Sequence, residues 1–244
     1  MGEMKLKDKV ALITGGGRGI GKAVALDYAR EGAKIAICSR TGAEIETAAK
    51  EIKALGTECL AVECDVSLEE PVSKLAEKVQ ECFGRIDVLI NNAGVMIRPA
   101  PIAETELKKW DYTMAVNLRG PFLVTKAVLP LMMRQKSGAI INVSSSIGRG
   151  AYANFAAYAT SKWGIEGFTQ TLAAEVGSYN IRVNSVEPGY VATKLTGYRG
   201  STPESVTGVF VFLATDESKR ITGRMLSSSA WKREIGKSRI EDRG

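Results

Sequence analysis

The sequence predicts one doubly wound α/β domain, a parallel sheet with helices on both faces. Three observations carry the prediction. From Lys9 to Ile90, short apolar runs alternate with segments of helical periodicity, and that alternation builds parallel sheets. A glycine cluster, Gly15-Gly16-Gly17-Arg18-Gly19-Ile20-Gly21, separates the first run from the first helix, where such sheets receive phosphate groups. The 244 residues contain no internal repeat and no low-complexity linker, and a chain of this length closes one large core. The domain is expected to span residues 1–231, with 232–244 as a basic tail.

The elements follow in order. Lys9 to Thr14 reads as a buried strand, and Lys22 to Glu31 as a helix closed by Gly32. Strand, glycine loop and helix together cradle a diphosphate. Glycines let the backbone come close, and the helix N-terminus offers free N–H groups and the positive end of its dipole. Lys34 to Cys38 is a second strand, with Ser39 and Arg40 at its end. NAD-binding domains place Asp or Glu at this point to hold the ribose 2′-hydroxyl. Here Ser39 and Arg40 stand there and Arg18 lies in the glycine loop. Two cations and no carboxylate suit a 2′-phosphate, so NADP(H) is expected in preference to NAD(H); the plainer reading is two solvated arginines.

Thr41 to Leu55 is helical, Glu58 to Glu63 a strand followed by Cys64-Asp65-Val66, Glu69 to Phe83 a helix, and Ile86 to Ile90 a fourth strand. Right-handed crossovers bring the C-terminal ends of these strands to one edge, where ligands bind. After the fourth strand comes Asn91-Asn92-Ala93-Gly94. Its small residues let a ligand lie against the backbone, and its amides can tie adjacent strands together. Glu104 to Asn117 is helical, and Pro121 opens a further helical segment through Met133. Ala139 to Val143 is a fifth strand with Ser144-Ser145-Ser146 at the ligand edge. Phe155 to Gly177 is a helix, Ile181 to Val186 a sixth strand ending in Glu187-Pro188-Gly189, and Pro203 to Thr215 a helix.

Composition narrows the chemistry. There is no histidine, which excludes Ser-His-Asp and Cys-His mechanisms and removes the commonest transition-metal ligand; no metal site is expected. The four cysteines form no C-x-x-C pair. Met1 to Lys9 lacks an apolar signal region, and no apolar run reaches the roughly eighteen residues of a membrane helix. A cytoplasmic protein with reduced thiols follows as the expectation. The net charge is +6, and five of the cations, Lys232, Arg233, Lys237, Arg239 and Arg243, lie late in the chain. A solvated terminus is expected there rather than a nucleic-acid or membrane contact.

Acid–base chemistry must then come from Tyr, Lys, Cys or carboxylates. Tyr158 and Lys162 are four residues apart within the helical segment, on one face and about a turn from each other. A nearby ammonium favours the phenolate and lowers a tyrosine pKa from about 10. Alone, such a pair is also an ordinary surface pairing on an amphipathic helix.

Taken together, these motifs resemble the short-chain dehydrogenase/reductase family, over about residues 7–223 and in the family's order. The match runs through Thr14-Gly15-x-x-x-Gly19-x-Gly21, Asp65-Val66, Asn91-Asn92-Ala93-Gly94, Ser145 with Tyr158 and Lys162, Asn117, and Pro188-Gly189 with Thr193. Ser145 is chosen over Ser144 and Ser146 because the family's serine lies thirteen residues before its tyrosine. The resemblance implies a Rossmann fold and a small-molecule carbonyl or alcohol substrate. It also implies a catalytic set of Asn117, Ser145, Tyr158 and Lys162. Tyr158 would exchange a proton with the carbonyl oxygen, Ser145 would donate to the developing alkoxide, Lys162 would lower the Tyr158 pKa and bind the nicotinamide ribose, and Asn117 would hold a relay water. For the cofactor it implies Gly15, Gly19, Ile20 and Gly21 at the diphosphate, and Arg18, Ser39 and Arg40 around the 2′-phosphate. Asp65 and Val66 would meet the adenine, Asn91, Ala93 and Gly94 the ribose. Pro188, Gly189, Val191 and Thr193 would stand at the nicotinamide. Substrate would meet Ser145, Ile147, Tyr152 and Tyr158.

The chain also departs from the family. The segment Val191 to Thr202 is shorter than the family's usual lid, so an open substrate pocket is expected. After Ile221-Thr222-Gly223, the usual terminal turn is replaced by Arg224-Met225-Leu226-Ser227-Ser228-Ser229-Ala230-Trp231. A homodimer or homotetramer is implied, with the altered end bearing on the tetramer. Many relatives are 3-oxoacyl-carrier-protein reductases, an assignment that the short lid and the missing terminal turn weaken; a small-ketone, sugar or polyol substrate is the other reading. A non-catalytic NADP(H) sensor is the reading from another class; the intact Tyr158/Lys162 set weighs against it.

Overall fold

The computed structural model describes residues 4–241; Met1 and Arg243, which entered the expectations above, lie outside the described residues. Seven parallel strands form one sheet. They are β1 (Val10–Thr14), β2 (Lys34–Ser39), β3 (Cys59–Glu63), β4 (Val88–Asn91), β5 (Gly138–Val143), β6 (Ile181–Glu187) and β7 (Met225–Ser227), in the order β3-β2-β1-β4-β5-β6-β7. The sheet is buried on both faces, so each strand is a near-continuous apolar run, and alternate residues serve opposite cores. In β1, Ala11 and Ile13 join one core with Ile45 of α2 (Gly42–Lys53) and Phe210 of α7 (Thr207–Ala214). Val10 and Leu12 join the other with Leu75 of α3 (Glu69–Phe83), Val124 of α5 (Gly120–Gln135) and Leu172 of α6 (Ala156–Val176).

The chain turns back at β1, whose neighbours are β2 and β4. That reversal opens a crevice beyond the C-terminal ends of β1 and β4, the position at which open α/β sheets bind ligands. The glycine loop and the Asn91–Gly94 segment both empty into it.

Four features differ from expectation. α1 (Gly19–Arg30) begins inside the glycine cluster, because the glycines at its start need no side chain to be accommodated. The expected break near Pro121 is absent. α4 (Leu107–Met114) passes through a π turn at Ala115–Arg119 directly into α5. Pro121 has no N–H to offer the carbonyl four residues back, that of Asn117, and the helix widens into a π turn where this carbonyl drops out of the α ladder. A seventh strand forms despite the altered C-terminal sequence, held by pairing of Ser185, Val186 and Glu187 with Met225, Leu226 and Ser227. Beyond it, α8 (Trp231–Glu241) crosses the boundary expected at residue 231. Ile235 is buried in the core, and the Trp231 ring lies 4.8 Å from that of Phe212, so the start of the basic tail packs as part of the domain. Among the described residues, no helix is long and apolar enough to cross a membrane.

Candidate active site

The glycine loop shapes the centre of the cleft. Gly15 has φ +65°, and an added Cβ would meet the Asn92 side chain at 2.8 Å. Asn92 donates to the Thr14 and Gly15 carbonyls, and Thr14 Oγ1 accepts from the Asn92 and Ala93 N–H groups. These bonds lock the end of β1 to the end of β4. No side chain caps α1, so its first-turn N–H groups face the cleft unclaimed, which fits a diphosphate. Gly15, Gly19 and Ile20 line the cleft. Gly21 does not: a Cβ there would lie 2.4 Å from the Gly15 carbonyl oxygen, so its role is to let α1 pack on the loop.

Ser39, Arg40, Asp65, Val66 and Arg18 also line the cleft. Both arginines are already engaged. Arg18 Nη1 donates to Glu44 Oε1 at 2.5 Å. Arg40 donates to the Tyr112 hydroxyl at 2.6 Å and stands 3.9 Å from Asp65 Oδ2. The sequence placed no carboxylate among these cations; the fold brings in Glu44 and Asp65.

Asn91 does not reach the cleft. Its side chain turns into the sheet, where Nδ2 donates to Asn142 Oδ1 at 2.9 Å and Thr125 Oγ1 at 3.1 Å. Asn142 in turn donates to Thr169 on α6. This buried ladder ties β4, β5, α5 and α6 together. Ala93 and Gly94 do line the cleft.

At the other end, Ser145, Tyr158 and Lys162 converge. The β5 strand ends at Val143, and Ser145 begins a tight turn in which its Oγ accepts from the Ile147 N–H. Ser145 lies beside the Tyr158 hydroxyl, near enough to favour its phenolate. Ser144 is buried, and Ser146 is exposed, and Ser145 is the serine that acts on the phenol. Lys162 Nζ donates to the Val143 carbonyl at 2.8 Å and lies 5.6 Å from the Tyr158 ring centroid. Burial pushes the Lys162 pKa down to about 8, against the opposing field of Glu166 one turn further along α6. Burial pushes the Tyr158 phenol up, with Ser145 pulling the other way. The expected lowering of Tyr158 by Lys162 is therefore not the controlling effect in this arrangement: desolvation of the phenol outweighs it.

Asn117 sits behind this group and is 1% exposed. Its Oδ1 accepts from the Val95 N–H, and its Nδ2 donates to the Val95 carbonyl and Ser161 Oγ. Both ends of the amide are thus committed to the scaffold, and the group left over is its main-chain carbonyl on the π turn.

Pro188, Gly189, Val191 and Thr193 complete the cleft. Thr193 Cγ2 stands 3.2 Å from where a Gly19 Cβ would be, so this segment reaches across to the glycine loop. The short lid closes on itself: Val191 bridges to Ser201, and Thr193 and Thr196 form a reciprocal cap. Ile147 is buried beneath its turn, and Tyr152 is 59% exposed on the loop beyond it; neither lines the cleft. The sequence reading missed Glu44, although it lies in the first turn of the helix following Arg40. It also missed the buried Glu166, which accepts from Ser185 Oγ. No cluster among the described residues could hold a metal ion.

Comparison with known proteins agrees with this geometry. The short chain dehydrogenase family profile matches residues 9–204. The chain is 38% identical to the 3-oxoacyl-[acyl-carrier-protein] reductase FabG of Thermotoga maritima, over 91% of this chain and 97% of that protein. It is 37% identical to the D-threitol dehydrogenase of Mycolicibacterium smegmatis, over 91% of each. The structure of an NAD+-bound xylitol dehydrogenase superposes with a TM-score of 0.87 at 33% identity, covering 91% of this chain and 98% of that one. The fold, the matched profile and these relatives together show that the chain belongs to the short-chain dehydrogenase family of oxidoreductases, enzymes that use a nicotinamide cofactor to act on alcohol and carbonyl groups.

Proposed function

We propose that the protein is an NADP(H)-dependent oxidoreductase that interconverts a carbonyl and a secondary alcohol, with Tyr158 as the general acid and base. The carrying observation is that Ser145, Tyr158 and Lys162 line the same cleft as the uncapped start of α1. The bound dinucleotide supplies or accepts the hydride. Gly15, Gly19 and Ile20 hold its diphosphate against the first turn of α1. Ser145 donates to the substrate oxygen and stabilises charge as it develops there. Tyr158 passes its proton to that oxygen in reduction and takes it back in oxidation. Lys162, with a pKa of about 8, is poised to return a proton toward Tyr158 near neutral pH. Water reaches it by way of the Asn117 main-chain carbonyl, since the Asn117 side chain is fully used.

Arg18 and Arg40 support the preference for a 2′-phosphate. Arg40→Asp is expected to weaken NADPH binding at least about tenfold while changing NADH binding little. Fluorescence titration with both nucleotides tests this, and an unchanged NADPH/NADH ratio refutes the preference. For substrate, the FabG relative points to a 3-oxoacyl thioester, against which the short lid weighs, and the D-threitol relative points to a polyol. Assays of 3-oxoacyl thioesters, ketones and polyols separate the two.

We also propose a homodimer or tetramer. A groove with Leu118 of the π turn, Phe122 of α5 and Phe168 of α6 at its apolar centre, and Asp111 and Arg119 beside them, lies between α4, the π turn, α5 and α6; Phe122 is 48% exposed. Sedimentation is expected to show at least a dimer at micromolar concentration, and a clean monomer contradicts it. The four free cysteines suit a cytoplasmic location.

A further inference from the structure

Glu44 stands where the cofactor reading expects no acid. It lies in the first turn of α2 and lines the cleft beside Ser39 and Arg40, at the end of β2. Its partner is Arg18, the cation on the glycine loop, at 2.5 Å. The loop is built for this approach: a Cβ on Gly17 would stand 3.1 Å from the Glu44 Cβ. Any side chain at position 17 would therefore press Glu44 away from the loop. Arg40 is held differently, by the Tyr112 hydroxyl and, loosely, by Asp65. The tight ion pair at this end of the cleft is thus the one between Arg18 and Glu44.

Resting on the NADP(H) reading above, we propose that Glu44 competes with the ribose 2′-phosphate for Arg18, and that this competition limits the preference for NADP(H) over NAD(H). A 2′-phosphate entering beside Arg18 meets the Glu44 carboxylate as well, and two anions sharing one guanidinium repel. Arg18 must exchange one partner for the other. A ribose carrying a free 2′-hydroxyl meets no such conflict, because a hydroxyl can donate to a carboxylate. The same residue therefore opposes one dinucleotide and accommodates the other. Arg18 and Glu44 are both partly solvent-exposed, so the effect is moderate and screened by salt.

The test is cofactor binding to wild type, Glu44→Gln, Arg18→Ala and the double variant, by fluorescence titration with NADPH and NADH. Displacement by adenosine 2′,5′-bisphosphate and by AMP isolates the 2′-phosphate. Glu44→Gln is expected to tighten NADPH and adenosine 2′,5′-bisphosphate by about three- to tenfold. NADH and AMP should stay unchanged or weaken. In the Arg18→Ala background the gain should vanish. No gain from Glu44→Gln, or an equal gain without Arg18, overturns the competition. The wild-type NADPH/NADH ratio reports separately on the underlying cofactor reading: a wild type that favours NADH, while Glu44→Gln still shifts the ratio toward NADPH, retains the competition and rejects the preference.

Discussion

Tyr158→Phe is expected to lower turnover by about a thousandfold or more, while NADPH binds within about twofold of wild type. General acid–base catalysis contributes on this scale, and the substitution removes one oxygen. The ring stays in place, half-buried on α6, so the cleft keeps its shape. Ser145 still accepts from the Ile147 N–H, so its turn is kept. The measurement is steady-state kinetics beside nucleotide titration on both proteins, with any substrate found in the assays above. Turnover that survives the substitution, with binding intact, means the proton moves by another route. Loss of nucleotide binding with turnover would instead place Tyr158 in the cofactor scaffold.

Lys162→Met is expected to abolish turnover, yet leave the nucleotide-free protein at least as stable as wild type at pH 7. Lys162 is buried, and desolvation takes its pKa from 10.5 to about 8. Below pH 8 the ammonium is therefore charged in both states and disfavoured in the folded one. A depression of this size corresponds to roughly 3 kcal/mol. Between pH 8 and 10.5 the folded protein has lost this proton while the unfolded chain still holds it, so wild-type stability recovers as pH rises. Methionine carries no charge to desolvate. Against this, the variant loses the bond to the Val143 carbonyl, which costs about 1–3 kcal/mol. The Met variant should then match or exceed wild type by about 1–2 kcal/mol at pH 7 and fall behind it near pH 10. Urea unfolding of both proteins at the two pH values checks this. A Met variant less stable at pH 7 by the same amount as at pH 10 would mean that Lys162 is not desolvated as the structure indicates.

These two residues show how far local pattern carries. Tyr158 and Lys162 are one helical turn apart, and a helix fixes their common face whatever surrounds it. The pattern says nothing about burial, and burial sets both pKa values here. Asn117 shows the same division. Pro121 stands four residues beyond it, so the loss of a backbone donor is legible in the sequence. That its amide is consumed by Val95 and Ser161 depends on loops meeting in space. Asn91 was read as a cofactor contact from its motif, but its side chain belongs to the ladder with Asn142 and Thr125. Only the pairing of β4 with β5 decides that.

By itself the sequence determined the alternation of strands and helices, the glycine loop at the first crossover, and the Tyr158/Lys162 pair. Each follows from interactions within a few residues, namely apolar periodicity, glycine freedom and helical spacing. The tertiary structure alone decided three further points. It recruited a seventh strand from an unpromising segment, because the open edge of β6 offered unpaired backbone groups. It buried Lys162 deeply enough to soften its proton affinity. And it set Glu44 against Arg18, 26 residues away in the chain. The charge facing a cofactor is a sum over every element that reaches the cleft, so it is defined only once β1, β2 and the start of α2 have packed together.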